Sequence, residues 1–295
     1  MKKKIRFIIN PKSGVGKKEQ LPALIQQHLD HAKFDYDIAY TQYRKHAQIL
    51  TRDAVKEGID IVCAVGGDGS VHEVGTTLVN SKTKMAIIPV GSGNGLARHL
   101  KIPTNIIAAI KTINLEKEIL MDTGLVNDKP FLGTGGYGFD ALIAKQFDLT
   151  NKRGFMGYAK LVAKEYRKFQ PVKVSIQFPD KKFDTQVVLC SLANSSEFGN
   201  GFTVSPKSNI SDGKMELCII KPFSKWKLPF LILRFFRKTT HKSSMLEIIP
   251  FTKVRIFIEN NFAHYDGEPF KVRKELNVEV KPKSLRIIVG EKYPH

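Results

Sequence analysis

The chain has 295 residues, a formal net charge of +19 and 42% apolar residues. This length allows one large domain or two domains of ordinary size, and the apolar content is sufficient for real cores. No stretch of 18 uncharged apolar residues is present, which excludes a helix that spans a membrane. The apolar run 5–9 is too short for a signal peptide, so we expect a cytoplasmic protein.

The first 120 residues alternate apolar runs typical of strands with stretches of helical periodicity. This rhythm favours a doubly wound α/β domain with a parallel sheet and right-handed crossover connections. The predicted strands cover residues 4–9, 36–40, 61–65 and 84–90. The predicted helices cover residues 20–29, 46–57, 71–80 and 96–100.

The stretch Gly66-Gly67-Asp68-Gly69 follows a buried strand and precedes a predicted helix. Its glycines allow positive φ and leave backbone N–H groups uncovered, which suits a phosphate close to the main chain. Asp68 would repel bound phosphates unless a divalent cation lay between them, so it indicates Mg²⁺. The alternative is an ordinary strand–turn–helix corner in which Asp68 caps the helix.

Two further polar loops follow predicted strands. Residues 10–14 form the first, which lacks the spacing of a Walker A motif, and residues 91–95 form the second. Taken alone, the first could be an ordinary turn between strand and helix. Because loops at the carboxyl ends of parallel strands meet in one crevice, three such loops together favour a nucleotide site.

From about residue 118 the pattern changes to short strands separated by turns. We therefore predict a nucleotide-binding α/β domain over residues 1–120 and a β-rich sandwich domain over residues 121–295. The C-terminal end is a candidate to pack back onto the first domain. The predicted strands are 119–126, 129–132, 173–178, 185–193, 214–220, 253–258, 276–280 and 285–289, and the clear helices are 139–148 and 155–169.

Six short motifs, in order, resemble the diacylglycerol kinase catalytic-domain family of lipid kinases. That family includes diacylglycerol, sphingosine and ceramide kinases and soluble bacterial lipid kinases. Gly-Gly-Asp-Gly alone also occurs in NAD kinases and phosphofructokinases, whereas the ordered set covers nearly the whole chain. The motifs are Asn10-Pro11-x-Ser13-Gly14, Thr41, Gly66-Gly67-Asp68-Gly69-Ser70, the stretch 89–94, Asp212-Gly213 and Asp266-Gly267-Glu268.

The resemblance implies a Rossmann-like first domain and ATP-dependent phosphorylation of a lipid hydroxyl, with ATP and Mg²⁺ as cofactors. It also implies which residues line the ATP site. They are Asn10, Pro11, Lys12, Ser13, Gly14, Thr41, Gly66, Gly67, Asp68, Gly69, Ser70, Val71, His72, Glu73, Ser92, Gly93 and Asn94.

The resemblance implies that Glu268 is the general base, with Asp266 as the competing choice. It also implies that Asp68 binds the catalytic metal and, through it, the phosphates. It also implies a structural Mg²⁺ at Asp212, with backbone carbonyls at about Asn209 and Lys214 as further ligands.

Four residues depart from the family pattern. Ser70 and Ser92 replace threonine but keep a hydroxyl, whereas His72 replaces asparagine and Gly95 replaces the aspartate that is usual in diacylglycerol kinases. These departures leave the acceptor lipid open among diacylglycerol, sphingoid bases, ceramide and phosphatidylglycerol.

Residues 222–244 contain six Lys or Arg residues and no acid, together with Trp226 and many bulky apolar residues. Such a mixture suits the headgroup boundary of an anionic membrane, and the alternative is a core helix with a solvated basic face. The basic stretch 152–168 is a second candidate. We therefore expect a cytoplasmic enzyme peripherally associated with the inner face of the membrane.

The sequence also allows three alternative functions. These are an NAD kinase-like enzyme that acts on a soluble substrate, a non-catalytic nucleotide-binding regulator and a nucleic-acid binder. No zinc finger, helix-turn-helix or RNP-like pattern is present, so we expect no nucleic acid partner. Exposed strand edges in a β-rich domain would allow a homodimer.

Overall fold

The computed structural model describes residues 2–13, 20–148, 161–162, 164–166, 168–198, 201–258 and 262–294. The chain divides into two compact units, residues 1–121 with 283–295, and residues 122–282. Gly14 and most of the predicted helix 155–169 lie outside the described residues, as does most of the basic stretch 152–168. Among the described helices, none is long and apolar enough to cross a membrane.

The first unit is built on a parallel sheet with the strand order β2-β1-β3-β4. In addition, Ile287 of the last strand, β16, pairs in parallel with Met85 of β4. The strands are β1 (Lys3–Ile9), β2 (Phe34–Tyr40), β3 (Ile61–Gly66) and β4 (Lys84–Pro89). The helices are α1 (Leu21–His28), α2 (His46–Lys56), α3 (Asp68–Leu78), α4 (Gly95–His99) and α5 (Ile106–Leu115).

The helices of the first unit cover the sheet in two packed pairs. Helix α2 packs against α3, and α1 packs against α5, while α3 and α5 also contact strands of the sheet. All six residues of β3 are buried, as a central strand between helical layers requires. The predicted α/β first domain is confirmed.

The second unit contains two antiparallel sheets. In one, β9-β8-β13 continue into the first part of β16, and in the other the order is β12-β11-β10-β7-β14-β15. The first set comprises β8 (Val172–Gln177), β9 (Lys182–Val187), β13 (Lys253–Ile258) and β16 (Glu275–Ile288). The second set comprises β7 (Thr134–Gly138), β10 (Leu189–Ala193), β11 (Met215–Ile220), β12 (Leu246–Phe251), β14 (Phe262–Tyr265) and β15 (Glu268–Lys271).

Side chains from both sheets form one shared core. Ile176 and Ile256 from one sheet belong to the same buried cluster as Leu192 and Leu217 from the other. This packing is that of a β-sandwich, so the predicted architecture of the second domain is confirmed. The hairpin of β5 (Glu118–Val126) and β6 (Lys129–Phe131) adds to the first sheet.

The outer face of the six-stranded sheet carries a helical layer. Helix α6 (Phe139–Asp148) contacts β7 and β10, and α7 (Leu228–Phe236) packs on a second apolar cluster. That cluster includes Phe139 and Leu231 together with Cys218 from β11.

Several predicted boundaries were wrong. The predicted strand 185–193 is two strands, because β9 pairs with β8 whereas β10 pairs with β7 and β11. Conversely, the predicted strands 276–280 and 285–289 are one strand, β16, which continues through Lys283 with a positive φ of 51°. Partners far away in sequence decide both outcomes.

Candidate active site

Three loops meet at the carboxyl edge of the parallel sheet, where β1, β3 and β4 end. The Asn10 backbone N–H donates to the carbonyl of Val65 over 3.1 Å, and Asn10 Nδ2 lies 3.4 Å from Ser70 Oγ. The Lys12 N–H in turn donates to Asn10 Oδ1 over 2.9 Å. The structure therefore places the turn after β1 directly against the beginning of α3.

The glycines of these loops are needed for close packing. A Cβ atom at Gly66 would lie 2.3 Å from Ser70 Oγ, and one at Gly91 would lie 2.5 Å from the Cα of Gly67. Gly66, Gly67 and Gly69 could adopt positive φ, but none of the three does. Their lack of a side chain instead allows two loops to touch backbone to backbone.

Helix α3 begins at Asp68, three residues earlier than predicted. Asp68 and Gly69 therefore belong to its first turn, and only Gly67 lies between β3 and α3. The Val71 N–H is the first to reach back by four residues, donating to Gly67 O over 3.1 Å. The N–H groups before it have no intrahelical acceptor, and with the helix dipole they form a site suited to phosphate.

The Asp68 carboxylate connects the loops after β3 and β4. Its Oδ2 accepts the Asn94 N–H over 2.9 Å, and its Oδ1 accepts the Gly95 N–H over 2.8 Å. Within the loop after β4, the Asn94 side chain forms a second pair of hydrogen bonds, in which Nδ2 donates to Gly91 O and Oδ1 accepts the Gly91 N–H. The two pairs of hydrogen bonds fix the shape of the loop that carries exposed Ser92 and half-buried Gly93.

Glu73 stabilises the start of α2. Its two carboxylate oxygens accept the N–H groups of Lys45, over 2.8 Å, and Ala47, over 3.2 Å. This is a helix cap supplied by a neighbouring helix, and it ties α3 to the loop that follows Thr41. Val71 and His72, both predicted to line the ATP site, are buried within α3.

The predicted catalytic acids lie on the hairpin of β14 and β15. Tyr265 pairs with Glu268, and the two turn residues Asp266 and Gly267 both have positive φ, 47° and 83°. Two residues with positive φ form the turn type that matches strand twist, and Asp-Gly is a preferred pair for it. The half-buried Glu268 is thereby placed at the first position of β15.

Asp266 is engaged by backbone donors. Its Oδ2 accepts the Leu132 N–H over 2.8 Å, and its Oδ1 accepts those of Gly133, over 2.8 Å, and Thr134, over 3.2 Å. The Asp266 N–H also donates to Thr134 O. These bonds fasten the hairpin turn to the segment between β6 and β7, which is a positioning role.

The predicted metal loop around Asp212 is held by an acid that the sequence analysis missed. Asp122, fully buried in β5, accepts the Gly213 N–H at Oδ2 over 2.6 Å. Its signal in the sequence was a carboxylate in the middle of the predicted strand 119–126. Asp212 Oδ1 accepts the Lys214 N–H over 2.9 Å, which makes a tight turn.

The chemistry of this loop suits a hard cation. Carboxylates and backbone carbonyls are the ligands that Mg²⁺ prefers. Burial raises the pKa of Glu216 to about 7, opposed by the hydrogen bond from Ser208 and reinforced by the charge of Asp212. Among the described residues, no three His, Cys, Asp or Glu side chains are grouped as a metal site.

The segment 222–244 contains the helix α7, which has a buried face and an exposed face. Leu231 and Phe235 of α7 are buried, whereas Phe230 is 68% exposed and Trp226, just before the helix, is 88% exposed. The buried inner face fits the predicted alternative of a core helix, and the exposed aromatic side chains fit the predicted docking surface.

Comparisons with known proteins agree with the geometry. A family model described as the diacylglycerol kinase catalytic domain matches residues 4–126. A second, described as the YegS C-terminal NAD kinase beta sandwich-like domain, matches residues 133–289, more than half of the chain. The predicted family resemblance is thus confirmed.

Two relatives and one solved structure show how close the similarity is. A "Probable lipid kinase YegS-like" protein of Chromohalobacter salexigens is 28% identical over 227 residues, 75% of this chain and 73% of that protein. A "Diacylglycerol kinase" of Bacillus subtilis is 27% identical over 226 residues, 74% of each. A Bacillus anthracis str. Sterne structure assigned to the diacylglycerol kinases has a TM-score of 0.83 at 22% identity and 99% coverage of both chains, which shows a common fold. The chain therefore belongs to the family of kinases that join a diacylglycerol kinase catalytic domain to a YegS-type C-terminal sandwich domain.

Proposed function

We propose that the protein transfers the γ-phosphoryl group of ATP to a hydroxyl group of a membrane lipid. In this proposal residues 1–120 bind the nucleotide and residues 121–295 bind the lipid. The observation that carries it is the convergence of three loops on the first turn of α3, fixed by the Asp68 carboxylate. Phosphoryl transfer depends mostly on positioning and on charge neutralisation, and both can be provided by such loops.

The nucleotide phosphates are assigned to the N–H groups at the start of α3. Gly67 and Gly69 present no side chain there, and the space beside Gly69 is open. Ser70 and Ser13 add hydroxyl groups close to Gly66. Residues 10–14, Thr41, Glu73 and the loop 92–94 are proposed to complete the ATP site, although Glu73 acts there through its cap on α2.

Mg²⁺ bound with ATP would neutralise the charge that develops on the transferred phosphoryl group. Asp68 is the acid that would hold it, while its hydrogen bonds keep the loops in place. The loop of Asn209, Asp212 and Lys214 is proposed to hold a second, structural Mg²⁺, with the buried Asp122 as its support.

Glu268 is proposed as the general base that orients and deprotonates the acceptor hydroxyl. Asp266 is the weaker choice, because its carboxylate already accepts three backbone N–H groups. Hydrogen bonds from donors stabilise the ionised carboxylate and reduce its basicity. Asp266 instead holds the turn that positions Glu268.

The protein is proposed to reach its substrate by docking on the membrane through the exposed side of the 222–244 segment. Exposed aromatic residues and basic residues without any acid favour an anionic headgroup region. Trp226 is the only tryptophan of the chain, so its fluorescence reports this contact directly. Phospholipids with brominated chains should quench Trp226 in anionic vesicles, and unchanged fluorescence there would refute docking through this segment.

The acceptor is identified by an assay with labelled ATP. Purified protein is incubated with Mg²⁺ and vesicles that contain diacylglycerol, a sphingoid base, ceramide or phosphatidylglycerol, and the products are identified by mass spectrometry. NAD in a parallel reaction tests the alternative of a soluble substrate. We expect a phosphorylated lipid, whereas phosphorylation of NAD alone would replace the proposal by that alternative.

A further inference from the structure

The loop after β2 carries two stacked aromatic rings that none of the proposed catalytic groups uses. The ring of Tyr43 lies on that of His46, with centroids 4.6 Å apart and an angle of 13° between the two planes. Tyr43 is 57% exposed, whereas His46 is half-buried at the first position of α2. Because His46 covers one face of the Tyr43 ring, the opposite face is the one available to a ligand. We name this pair the aromatic platform.

Hydrogen bonds hold the aromatic platform in place. The Gln42 backbone N–H donates to His46 Nδ1 over 3.1 Å, which fixes the orientation of the imidazole ring. The His46 N–H in turn donates to Tyr43 O over 3.2 Å. Binding of a ligand to the exposed face of Tyr43 would therefore need little ordering of the loop, which favours affinity.

The aromatic platform lies on the same edge of the sheet as the proposed phosphate site. The Thr41 N–H donates over 2.9 Å to the carbonyl of Ile9, which ends β1, and the Lys45 N–H donates to Glu73 of α3 over 2.8 Å. One strand, β1, separates β2 from β3. Since neighbouring strands lie about 4.8 Å apart, the end of β2 is about 10 Å from the end of β3. A nucleotide with its phosphates at the start of α3 extends over this length through its ribose to its base.

The chemistry of the loop suits a nucleotide base. An exposed aromatic ring stacks on a planar base, and every base offers a π-face for this contact. Residues 41–46 also contain two basic residues, Arg44 and Lys45, and no acid, so the loop does not repel the phosphates of the same ligand. A hydrocarbon chain would gain little on one ring that is open to water, because its remaining surface would stay hydrated.

We propose that the aromatic platform stacks on the purine base of the bound nucleotide. This rests on the proposed function, because it places the base of the nucleotide whose phosphates are assigned to α3. Tyr43 contacts the base, and His46 acts through Tyr43 as a positioning residue. Since stacking does not distinguish one purine from another, the aromatic platform contributes affinity for ATP and GTP alike.

The contact is tested by isothermal titration of the intact protein with ATP and Mg²⁺. Loss of one base–aromatic stack in Tyr43→Ala should weaken ATP binding by about 5–150-fold, and GTP binding by the same factor. Tyr43→Phe keeps the ring and should bind ATP as the wild type does. Tyr40→Ala is the matched control, since Tyr40 is 50% exposed but belongs to β2 itself. Equal ATP affinity of the wild type and Tyr43→Ala, or an equal loss in Tyr40→Ala, would overturn the proposal.

Inorganic tripolyphosphate separates a contact with the base from a disturbance of the phosphate loops. It carries the phosphates without a base, so its affinity, measured by titration with Mg²⁺, should be the same for the wild type and Tyr43→Ala. An equal weakening of ATP and tripolyphosphate binding in Tyr43→Ala would contradict stacking on the base.

The supporting role of His46 has a test of its own. His46→Ala should weaken ATP binding in the wild-type background, because the Tyr43 ring loses its support. In the Tyr43→Ala background the same change should have no further effect, since residues that act as one unit are not additive. Additive losses in the double variant would show that His46 does not act through Tyr43.

These outcomes are separate from those of the kinase assay. Tight ATP binding that is insensitive to Tyr43→Ala, together with phosphorylation of a lipid, leaves the proposed function standing and overturns the stacking. Binding of ATP that depends on Tyr43, with no lipid phosphorylated, supports the stacking and contradicts the proposed function. A wild type that binds no nucleotide contradicts both.

Discussion

At the scale of single residues, the two acids of the β14–β15 hairpin have different surroundings. Asp266 accepts three backbone N–H groups, whereas Glu268 begins the next strand and is half-buried. Sequence reasoning left the choice of base between them open, because two acids on one turn have the same chemistry. The hydrogen bonds of Asp266 support the proposal that Glu268 is the base, and they come from residues more than 130 positions away.

Replacement of Asp266 should therefore affect stability first. In Asp266→Ala the N–H groups of residues 132–134 lose their acceptor, which costs about 1–3 kcal/mol for a buried donor. We expect a lower unfolding free energy in urea, with an unchanged m-value. Glu268→Gln serves as the control and should unfold as the wild type does. If Asp266→Ala were as stable as the wild type, the positioning role would be wrong.

Glu216 gives the stability a pH dependence. Burial raises its pKa to about 7 from 4.5, so the folded state keeps a proton that the unfolded state releases as the pH rises through this range. Stability is then lost between about pH 4.5 and pH 7, relative to a variant that cannot ionise. In EDTA, Glu216→Gln should match the wild type at pH 4 and exceed it at pH 8 in chemical unfolding. Identical unfolding curves for the wild type and Glu216→Gln at pH 8 would contradict the raised pKa of Glu216.

At the scale of elements, the loops after β3 and β4 depend on backbone contact at two glycines. A Cβ atom at Gly66 meets the Ser70 side chain, whereas one at Gly91 meets the backbone of Gly67. The clash at Gly66 can be relieved by a second substitution at Ser70, because it involves a side chain. The clash at Gly91 cannot be relieved in this way, because it involves the main chain of Gly67.

We accordingly expect both Gly66→Ala and Gly91→Ala to weaken ATP binding, by about tenfold or more for a loss of 1.4 kcal/mol. The double variant Gly66→Ala/Ser70→Gly should regain much of the loss, because the atoms that clash are removed. Isothermal titration with ATP and Mg²⁺ measures each affinity, and thermal unfolding checks the fold. Full ATP affinity in Gly91→Ala would show that the loops need not touch.

The sequence predicts local elements of this fold well and distant pairings poorly. The strand, glycine turn and helix of residues 61–78 were predicted from composition and periodicity, although the helix was placed at 71–80 instead of 68–78. The single long strand β16 was predicted as two, since its continuation depends on partners in other strands. Helix α5 was missed, although Asn105 caps it by accepting the Ala108 N–H.

In the candidate site, too, local features were predicted and contacts between distant residues were missed. Asn10 and Asn94 were chosen because polar residues in glycine-rich loops bind phosphate, and Asp68 because it indicates Mg²⁺; the structure does bring their loops together. Asp122 was missed, because its contact with Gly213 spans 91 residues and no spacing rule predicts it.

At the scale of the whole molecule, the net charge of +19 and the exposed aromatic residues of the segment 222–244 both support the proposed docking on an anionic membrane. Long-range attraction brings a basic protein to an anionic surface, and apolar insertion holds it there. Each basic residue near such a surface contributes about 1 kcal/mol. Charge elsewhere on the protein should matter much less, because salt screens it within about 10 Å.

The double variant Lys227→Glu/Arg237→Glu should consequently lower binding to anionic vesicles by about tenfold or more. Both residues are exposed and lie at the two ends of α7. Lys111→Glu/Lys173→Glu carries the same change of charge at exposed positions on α5 and β8 and is the control. Co-sedimentation with vesicles over a range of salt concentrations measures the effect, and equal losses in both variants would indicate a non-specific charge effect.

The most direct test of the central claim, that this fold transfers phosphate from ATP to a lipid hydroxyl with Glu268 as base, is transfer of labelled phosphate into lipid vesicles. We expect the wild type to form a phosphorylated lipid, and Glu268→Gln to lose about 10²–10⁴-fold in kcat with an unchanged unfolding temperature and unchanged ATP affinity. Lipid phosphorylation by Glu268→Gln at the wild-type rate would contradict the assigned base. The absence of any labelled lipid with the wild type, across the acceptor panel, would contradict the proposed function itself.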